Sequence, residues 1–341
     1  MIILSVESTC DETAIALTEN GRTVLTDQIF SQADLHAVYG GVVPEIASRS
    51  HVEVISQLAR RALEVSGVKK TEIDAIAVSY APGLIGAVLV GVNFAKSTAS
   101  ALGVPLIPVH HVRGHIAANY IAFPELTPPF LCLAISGGNT MLVDVRDYTE
   151  LRVLGMTRDD AAGECFDKSA RVLGLPYPGG APIDRLAREG DDRRYALPKP
   201  FVGENPYEMS FSGLKTAVIN LAHHCEQTGE ELDRAGLAAS LCRAVSDSLV
   251  PRTMQAAREL GYTRIAVAGG VAANSRIRAD FAAACERAGA KLYVPPLKLC
   301  GDNAAMIGAQ GYYEYLAGNV ASSRLNAFAS MPLERSYRAA R

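Results

Sequence analysis

The sequence predicts an α/β protein of two similar lobes that face each other across a ligand-binding cleft. Three observations carry this expectation. An apolar strand, polar turn and two further strands occur at residues 1–29 and again at 130–155. A helix-to-strand-to-glycine unit occurs at 73–83 and again at 263–270. The chain has 341 residues, 49% of them hydrophobic, which is material for two buried cores.

Taken in order, residues 1–7 form an apolar run, followed by the polar turn Ser8-Thr9-Cys10-Asp11-Glu12-Thr13 and strands at 14–18 and 24–29. Amides and hydroxyls in such a turn can hold phosphate oxygens or an ordered metal-bound water. Arg49, Arg60, Arg61, Lys69 and Lys70 form either a local basic patch or, more simply, a solvated helix face. Residues 104–109 read as a short buried strand that opens into a helix near His110.

On that helix His111 and His115 stand four residues apart and stack on one face, which is half of a metal site or a satisfied histidine pair. A metal reading demands a third ligand elsewhere. The peptidase pattern H-E-x-x-H needs a Glu after the first His, and Val112 stands there instead, so a zinc-peptidase reading lacks its base.

The second meander uses strands at 130–135, 141–145 and 151–155 around the turn 136–140. A helix then begins within 159–168, and the proline- and glycine-rich loop 175–184 enters another. Asp167 and Asp184 can reach a ribose hydroxyl or act as ordinary caps. A further proline-bearing loop ends at 211–216, and apolar spacing is helical from 232 to 260. His223 and His224 fall on an exposed helix end and are not assigned as ligands. Gly269-Gly270 leads through Asn274 into a helix, a turn suited to close approach by a nucleoside. Asp302 begins the last helix, as its N-cap or as a carboxylate turned to the two histidines.

Two meanders and a glycine turn in this order match the actin-like, sugar-kinase and heat-shock ATPase superfold. The first lobe is expected at 1–127 plus 303–341 and the second at 128–302, with a helical insertion around 160–230. Thirty-three basic and 36 acidic residues give a net charge of −3, so nucleic acid would need a local patch or a partner protein. Seven cysteines without a C-x-x-C pair argue against a disulfide framework or zinc ribbon. No apolar run reaches the roughly 20 residues of a bilayer span and no leader precedes the first strand, so the expected location is cytoplasmic, without a membrane.

The strings Glu7-Ser8-Thr9-Cys10-Asp11-Glu12-Thr13, His36-Ala37-Val38-Tyr39-Gly40-Gly41-Val42-Val43-Pro44-Glu45, His111-Val112-Arg113-Gly114-His115, Ser136-Gly137-Gly138, Tyr177-Pro178-Gly179-Gly180 and Phe211-Ser212-Gly213-Leu214-Lys215-Thr216 resemble the tRNA N6-adenosine threonylcarbamoyltransferase family, formerly described as an O-sialoglycoprotein endopeptidase. The resemblance runs from residue 1 to about Gly311. It implies transfer of threonylcarbamoyl from threonylcarbamoyl-adenylate to N6 of adenosine 37 in tRNAs reading codons that begin with A, with release of AMP. It implies His111, His115 and Asp302 as ligands of one iron or zinc ion. Ala134, Ile135, Ser136, Gly137, Gly138, Asp167, Gly180, Asp184 and Asn274 would hold the adenylate. Bacterial members work with a related, metal-lacking actin-like subunit and a small P-loop ATPase. Asp11 or Glu12 is the expected proton acceptor.

Two positions depart from the family pattern. Asn139 replaces a His that commonly follows the paired glycines, and Gly301 replaces a Thr before Asp302. Neither change touches the expected ligand triad. Three competing classes share parts of this pattern: a small-molecule kinase, which has no use for the histidines; a metallopeptidase, which lacks its Glu; and a non-catalytic actin-like scaffold, which would bind partners without needing His111 or Asp302.

Overall fold

Short apolar runs punctuated by turn residues become buried strands, and longer amphipathic stretches become the helices that cover them. The computed structural model describes residues 1–199, 203–335 and 337. It divides into one unit of Met1–Pro129, Val145–Arg152 and Gly301–Arg341 and another of Phe130–Asp144 and Val153–Cys300. Residues 200–202 of the expected insertion, and 336 and 338–341 of the expected first lobe, lie outside the described residues.

The first unit opens with β1 (Ile2–Glu7), β2 (Glu12–Glu19) and β3 (Thr23–Ser31), followed by α1 (Ala33–Ala37) and α2 (Pro44–Ser66). Then come β4 (Ala75–Ala81), α3 (Ile85–Leu102), β5 (Leu106–His110) and α4 (His111–Ala122). The sheet order is β3-β2-β1-β4-β5. β1 and β2 are antiparallel, with Ile2 opposite Glu19, whereas β1, β4 and β5 run parallel. The parallel strands are buried along nearly their whole length, which is why they read as continuous apolar runs rather than as alternating ones. Pro44 starts α2 with φ already set for a helix, and Gly67 ends it at φ 71°.

α3 comes nearest to the length of a bilayer span. It is 18 residues long with a mean hydropathy of 1.3, so among the described residues one helix does have the length and composition to cross a membrane. Here Ala87, Val88, Gly91, Val92, Ala95 and Ala99 are buried, and the helix packs against β4 and α2. Its apolar character therefore includes a face that covers a sheet.

The second unit runs β6 (Phe130–Ile135), β7 (Thr140–Val145), β8 (Leu151–Met156), α5 (Ala162–Val172), α6 (Gly180–Ala187), α7 (Ser212–Thr228), α8 (Arg234–Leu260), β9 (Arg264–Ala268), α9 (Ser275–Ala288) and β10 (Lys291–Tyr293). Its sheet order, β10-β9-β6-β7-β8, is the order of the first sheet read from the other end, and β6, β9 and β10 are parallel. The repeated pattern in the sequence is thus a repeated topology. Phe166, Phe211 and Phe281 are among the side chains that fill the core of this unit.

The last helix, α10 (Ala304–Leu316), belongs to the first unit and packs on α4 and β1. Both contacts are close because small residues permit them. A Cβ on Gly114 of α4 would lie 2.7 Å from Ile307 Cδ1, and one on Gly308 would lie 3.0 Å from Ser5 Oγ of β1 and 2.3 Å from Thr18 Oγ1 of β2. On another side of α4 the buried Arg113 donates to Glu314 of α10 at 3.0 Å, to the Thr149 carbonyl at 3.2 Å and to the Leu333 carbonyl at 2.9 Å. Small residues and one buried guanidinium therefore fix the register between α4 and α10.

Candidate functional site

That register brings together the two ends of the first unit's sequence. α4 begins where β5 ends, with the His110 ring accepting from Val112 N at 3.2 Å as its cap, and it carries His111 and His115 one turn apart. The rings meet edge to face, with centroids 4.6 Å apart. At the start of α10 the capping role expected of Asp302 is taken by Asn303, whose Oδ1 accepts from Met306 N at 2.8 Å. Asp302 is free for another use. Its Oδ1 lies 3.2 Å from His115 Nε2 and 3.6 Å from His111 Nε2, so the two Nε2 atoms and one carboxylate oxygen converge on a common point.

The donor set and its surroundings fit a divalent ion. Neither ring nitrogen of the buried His115 makes a hydrogen bond among the described residues; the 3.2 Å approach to Asp302 lacks hydrogen-bond alignment. An imidazole left so would be costly without a partner. His111 is oriented from behind, its Nδ1 2.9 Å from Glu7 Oε2 and 3.2 Å from Thr9 Oγ1. With Nδ1–H donating to Glu7, Nε2 faces Asp302 as a lone pair, the arrangement in which a carboxylate fixes the tautomer of a metal-binding histidine. Two imidazoles and one carboxylate, with positions left over, suit iron and zinc alike.

Without an ion, the neighbouring carboxylates favour a proton on His111, and an arriving divalent ion would displace it from Nε2. Burial alone would raise the Asp302 carboxyl, but the His111 and His115 rings outweigh it and hold it below the ordinary carboxylate range. Burial disfavours a charged His111, yet Glu7 and Asp302 together push its pKa up to about 9. Asp11 is buried and Glu12 half-buried in the neighbouring turn. Burial, and then the charges of Asp302 and Asp11, raise the Glu12 carboxyl.

Glu7 was not singled out by the sequence reading. Its only signal is an acid closing a buried apolar strand, and its side chain is fully buried. Thr9 and Arg113 lay inside quoted motifs without an assigned role. His223 and His224 are exposed on α7, as expected. Arg49 pairs at 2.7 Å with Glu45 on the solvated face of α2.

The second unit holds the other expected residues. Ala134 and Ile135 end β6, and Ser136, Gly137 and Gly138 form the turn into β7. Ser136 N donates to the Asn139 carbonyl at 2.7 Å, so Asn139 closes that turn through its backbone. A Cβ on Gly163 would lie 2.5 Å from the Ser136 carbonyl oxygen, so the start of α5 presses on the turn from one side. On the other side, added Cβ atoms at Gly137 and Gly138 would meet nothing within 4 Å. Gly180 is open in the same way. Gly269, at φ 93°, passes so close to the Ile135 carbonyl that only glycine fits.

Asp167 Oδ1 accepts from Gly179 N at 2.7 Å. Asp184 accepts from Ser275 N at 2.8 Å, from Ser275 Oγ at 2.7 Å and from Arg188 at 2.8 Å. Asn274 caps α9 through Ile277 N at 3.1 Å. Asp167 thus closes a nearby loop and Asn274 caps its helix, whereas Asp184 ties α6 to the start of α9, 91 residues further on. Asp184, Ser275, Arg276, Asp192 and Cys242 also line a cavity of about 480 Å³.

Comparison with known proteins gives the fold and the family. A solved structure, the (R)-2-hydroxyglutaryl-CoA dehydratase component A of Acidaminococcus fermentans, is similar in fold at a TM-score of 0.54 and 14% identity, covering 93% of this chain and 99% of its own. A ROK hexokinase from Thermus thermophilus is similar at a TM-score of 0.51 and 13% identity, over 93% of this chain and all of its own. These share the two-lobed α/β superfold. The tRNA N6-adenosine threonylcarbamoyltransferase of Moorella thermoacetica is 52% identical over 97% of both chains. One from Clostridium perfringens is 49% identical over 96% of both. The family model described as tRNA N6-adenosine threonylcarbamoyltransferase matches residues 23–309. The chain is a transferase that belongs to the tRNA N6-adenosine threonylcarbamoyltransferase family.

Proposed function

We propose that this enzyme transfers threonylcarbamoyl from threonylcarbamoyl-adenylate to N6 of adenosine 37 in tRNAs that read codons beginning with A. The observation that carries the reading is the convergence of His111, His115 and Asp302 in a chain about half identical to named transferases of this kind. These three residues hold one iron or zinc ion, with Glu7 orienting His111. When bound, the ion acts as a Lewis acid that orients the threonylcarbamoyl group and stabilises charge on its oxygen.

The remaining work belongs to the chain itself. The open faces of Gly137, Gly138 and Gly180 allow a phosphate and ribose to lie against backbone, and the cavity lined by Asp184 and Ser275, next in sequence to Asn274, has room for the adenosine. Ala134 and Ile135 supply the buried strand end that carries the turn. N6 attacks the carbamoyl carbon, the bond from that carbon to the phosphate oxygen breaks, and AMP departs with the electron pair. The amine's proton passes to Asp11 or Glu12, the two acids of the first turn.

The net charge of −3 gives no general hold on tRNA, so a partner surface completes it. Exposed Ile85 and Leu89, one turn apart on α3, offer an apolar contact for a related, metal-lacking actin-like subunit, and a small P-loop ATPase completes the assembly. We place the reaction in the cytoplasm, with its tRNA. The test is transfer from labelled adenylate to unmodified tRNA in the presence of these subunits. Label is expected on adenosine 37 and absent when guanosine replaces it; labelling of small hydroxyl substrates by ATP without tRNA would favour a kinase instead.

A further inference from the structure

One buried imidazole brackets the acid pair of the first turn. His51, on α2, is fully buried, and its Nε2 lies 2.9 Å from the Cys10 carbonyl oxygen while its Nδ1 lies 2.7 Å from Thr13 Oγ1. A carbonyl can only accept, so Nε2 carries the proton and the neutral ring receives the Thr13 hydroxyl at Nδ1. Residues 10 and 13 flank Asp11 and Glu12 on either side. A single rigid ring therefore spans the whole arc of the turn.

Neighbouring bonds tie the same arc to the same helix. Gln32 N donates to the Asp11 carbonyl at 2.9 Å, and the Gln32 side chain donates to the Ala47 carbonyl of α2 at 3.4 Å. Ser31 Oγ donates to Glu12 Oε1 at 3.3 Å. A histidine serving only as filler would be replaced at lower desolvation cost by an apolar side chain, whereas this ring has both nitrogens matched to the turn. Burial lowers its pKa against the opposing pull of the Cys10 carbonyl and of the Glu7 and Asp11 charges, which agrees with a neutral ring.

We propose that His51 is a positioning residue for the transfer reaction, fixing the turn so that the Asp11 and Glu12 carboxylates are held where the amine's proton leaves. This rests on the reading of that acid pair as proton acceptor. His51 itself touches no substrate. Its removal acts on the chemical step, leaving the metal ligands and tRNA binding as they are.

The experiment compares His51→Leu, His51→Gln and Thr13→Val in the full assembly, reading kcat, KM for tRNA and metal bound per chain. A glutamine side chain combines an NH2 donor group with an oxygen acceptor, so it can replace both bonds of the ring. His51→Leu is expected to lower kcat roughly 10- to 100-fold, with KM and metal content unchanged within about twofold. His51→Gln should recover most of the rate, and Thr13→Val should show a smaller loss of the same kind. Wild-type kcat in His51→Leu and Thr13→Val overturns the proposal, as does loss of metal in step with the rate. Should His51→Leu fail to fold, Thr13→Val against wild type decides. The double variant Asp11→Asn with Glu12→Gln separates the two ideas. A wild-type rate there defeats the acceptor reading itself, whereas a slow double variant beside unimpaired His51 and Thr13 variants defeats only the positioning role.

Discussion

Among the described residues neither buried ring nitrogen of His115 makes a hydrogen bond, and its neighbour His111 is held from behind by a carboxylate that no spacing rule points to. Glu7 fixes the His111 tautomer, so Glu7→Gln should weaken metal binding about 10- to 100-fold while leaving the fold intact. Titration of metal into stripped protein checks this; unchanged affinity would remove Glu7 from the site. A second residue sets a pH dependence. Asp27 accepts from Ala304 N at 3.3 Å, and burial pushes its pKa up to about 6, with the Ala304 and Ala305 amides opposing. The folded state therefore binds this proton more tightly than the unfolded chain, near 3.8. The resulting stabilisation is complete below about pH 4 and lost as pH rises through 6. Asp27→Asn keeps the acceptor without the charge. It should add on the order of 2 kcal/mol at pH 8 and little at pH 4, measured by denaturant unfolding.

At the scale of elements, the site is a consequence of how α10 crosses α4. Gly114 lies between the two histidines, and its missing side chain lets Ile307 approach. Gly114→Ala should cost about 1–3 kcal/mol through overpacking and should also lower metal affinity, because α10 carries Asp302 away as it moves. Ile307→Val in the same chain should restore part of both; stability lost without any change in metal affinity would uncouple the crossing from the site.

The elements also mark what the sequence reveals and what it hides. His111 and His115 are legible because helical spacing alone puts them on one face. Asp302 is not, since nothing local separates a ligand from a cap; only the structure assigns the cap to Asn303. Glu7, Thr9 and His51 act across distances of up to about a hundred residues through tertiary contacts, which periodicity cannot register. Asp167, Asp184 and Asn274 are visible as polar residues at turns; the bonds of Asp167 and Asn274 stay near in sequence, while Asp184 reaches Ser275 through a tertiary contact.

For the molecule as a whole, the architecture is the most legible level. Two meanders followed by parallel strands yield two sheets with one strand order, and apolar content divides into two cores. The mean hydropathy of a helix such as α3 is the exception, because the same composition serves a membrane or a sheet face. Arg113 shows the cost of concentrating structure in one residue: it gathers α4, Glu314, Thr149 and the Leu333 carbonyl near the end of the described chain. We propose that transfer depends on an ion held by His111, His115 and Asp302. The most direct measurement is threonylcarbamoyl transfer to unmodified tRNA by the full assembly, with metal content determined on the same samples, for wild type, His115→Ala and Asp302→Ala. Both variants are expected to fold, to lose most of their metal and to lose transfer together. Wild-type transfer by either folded variant without metal would contradict the claim.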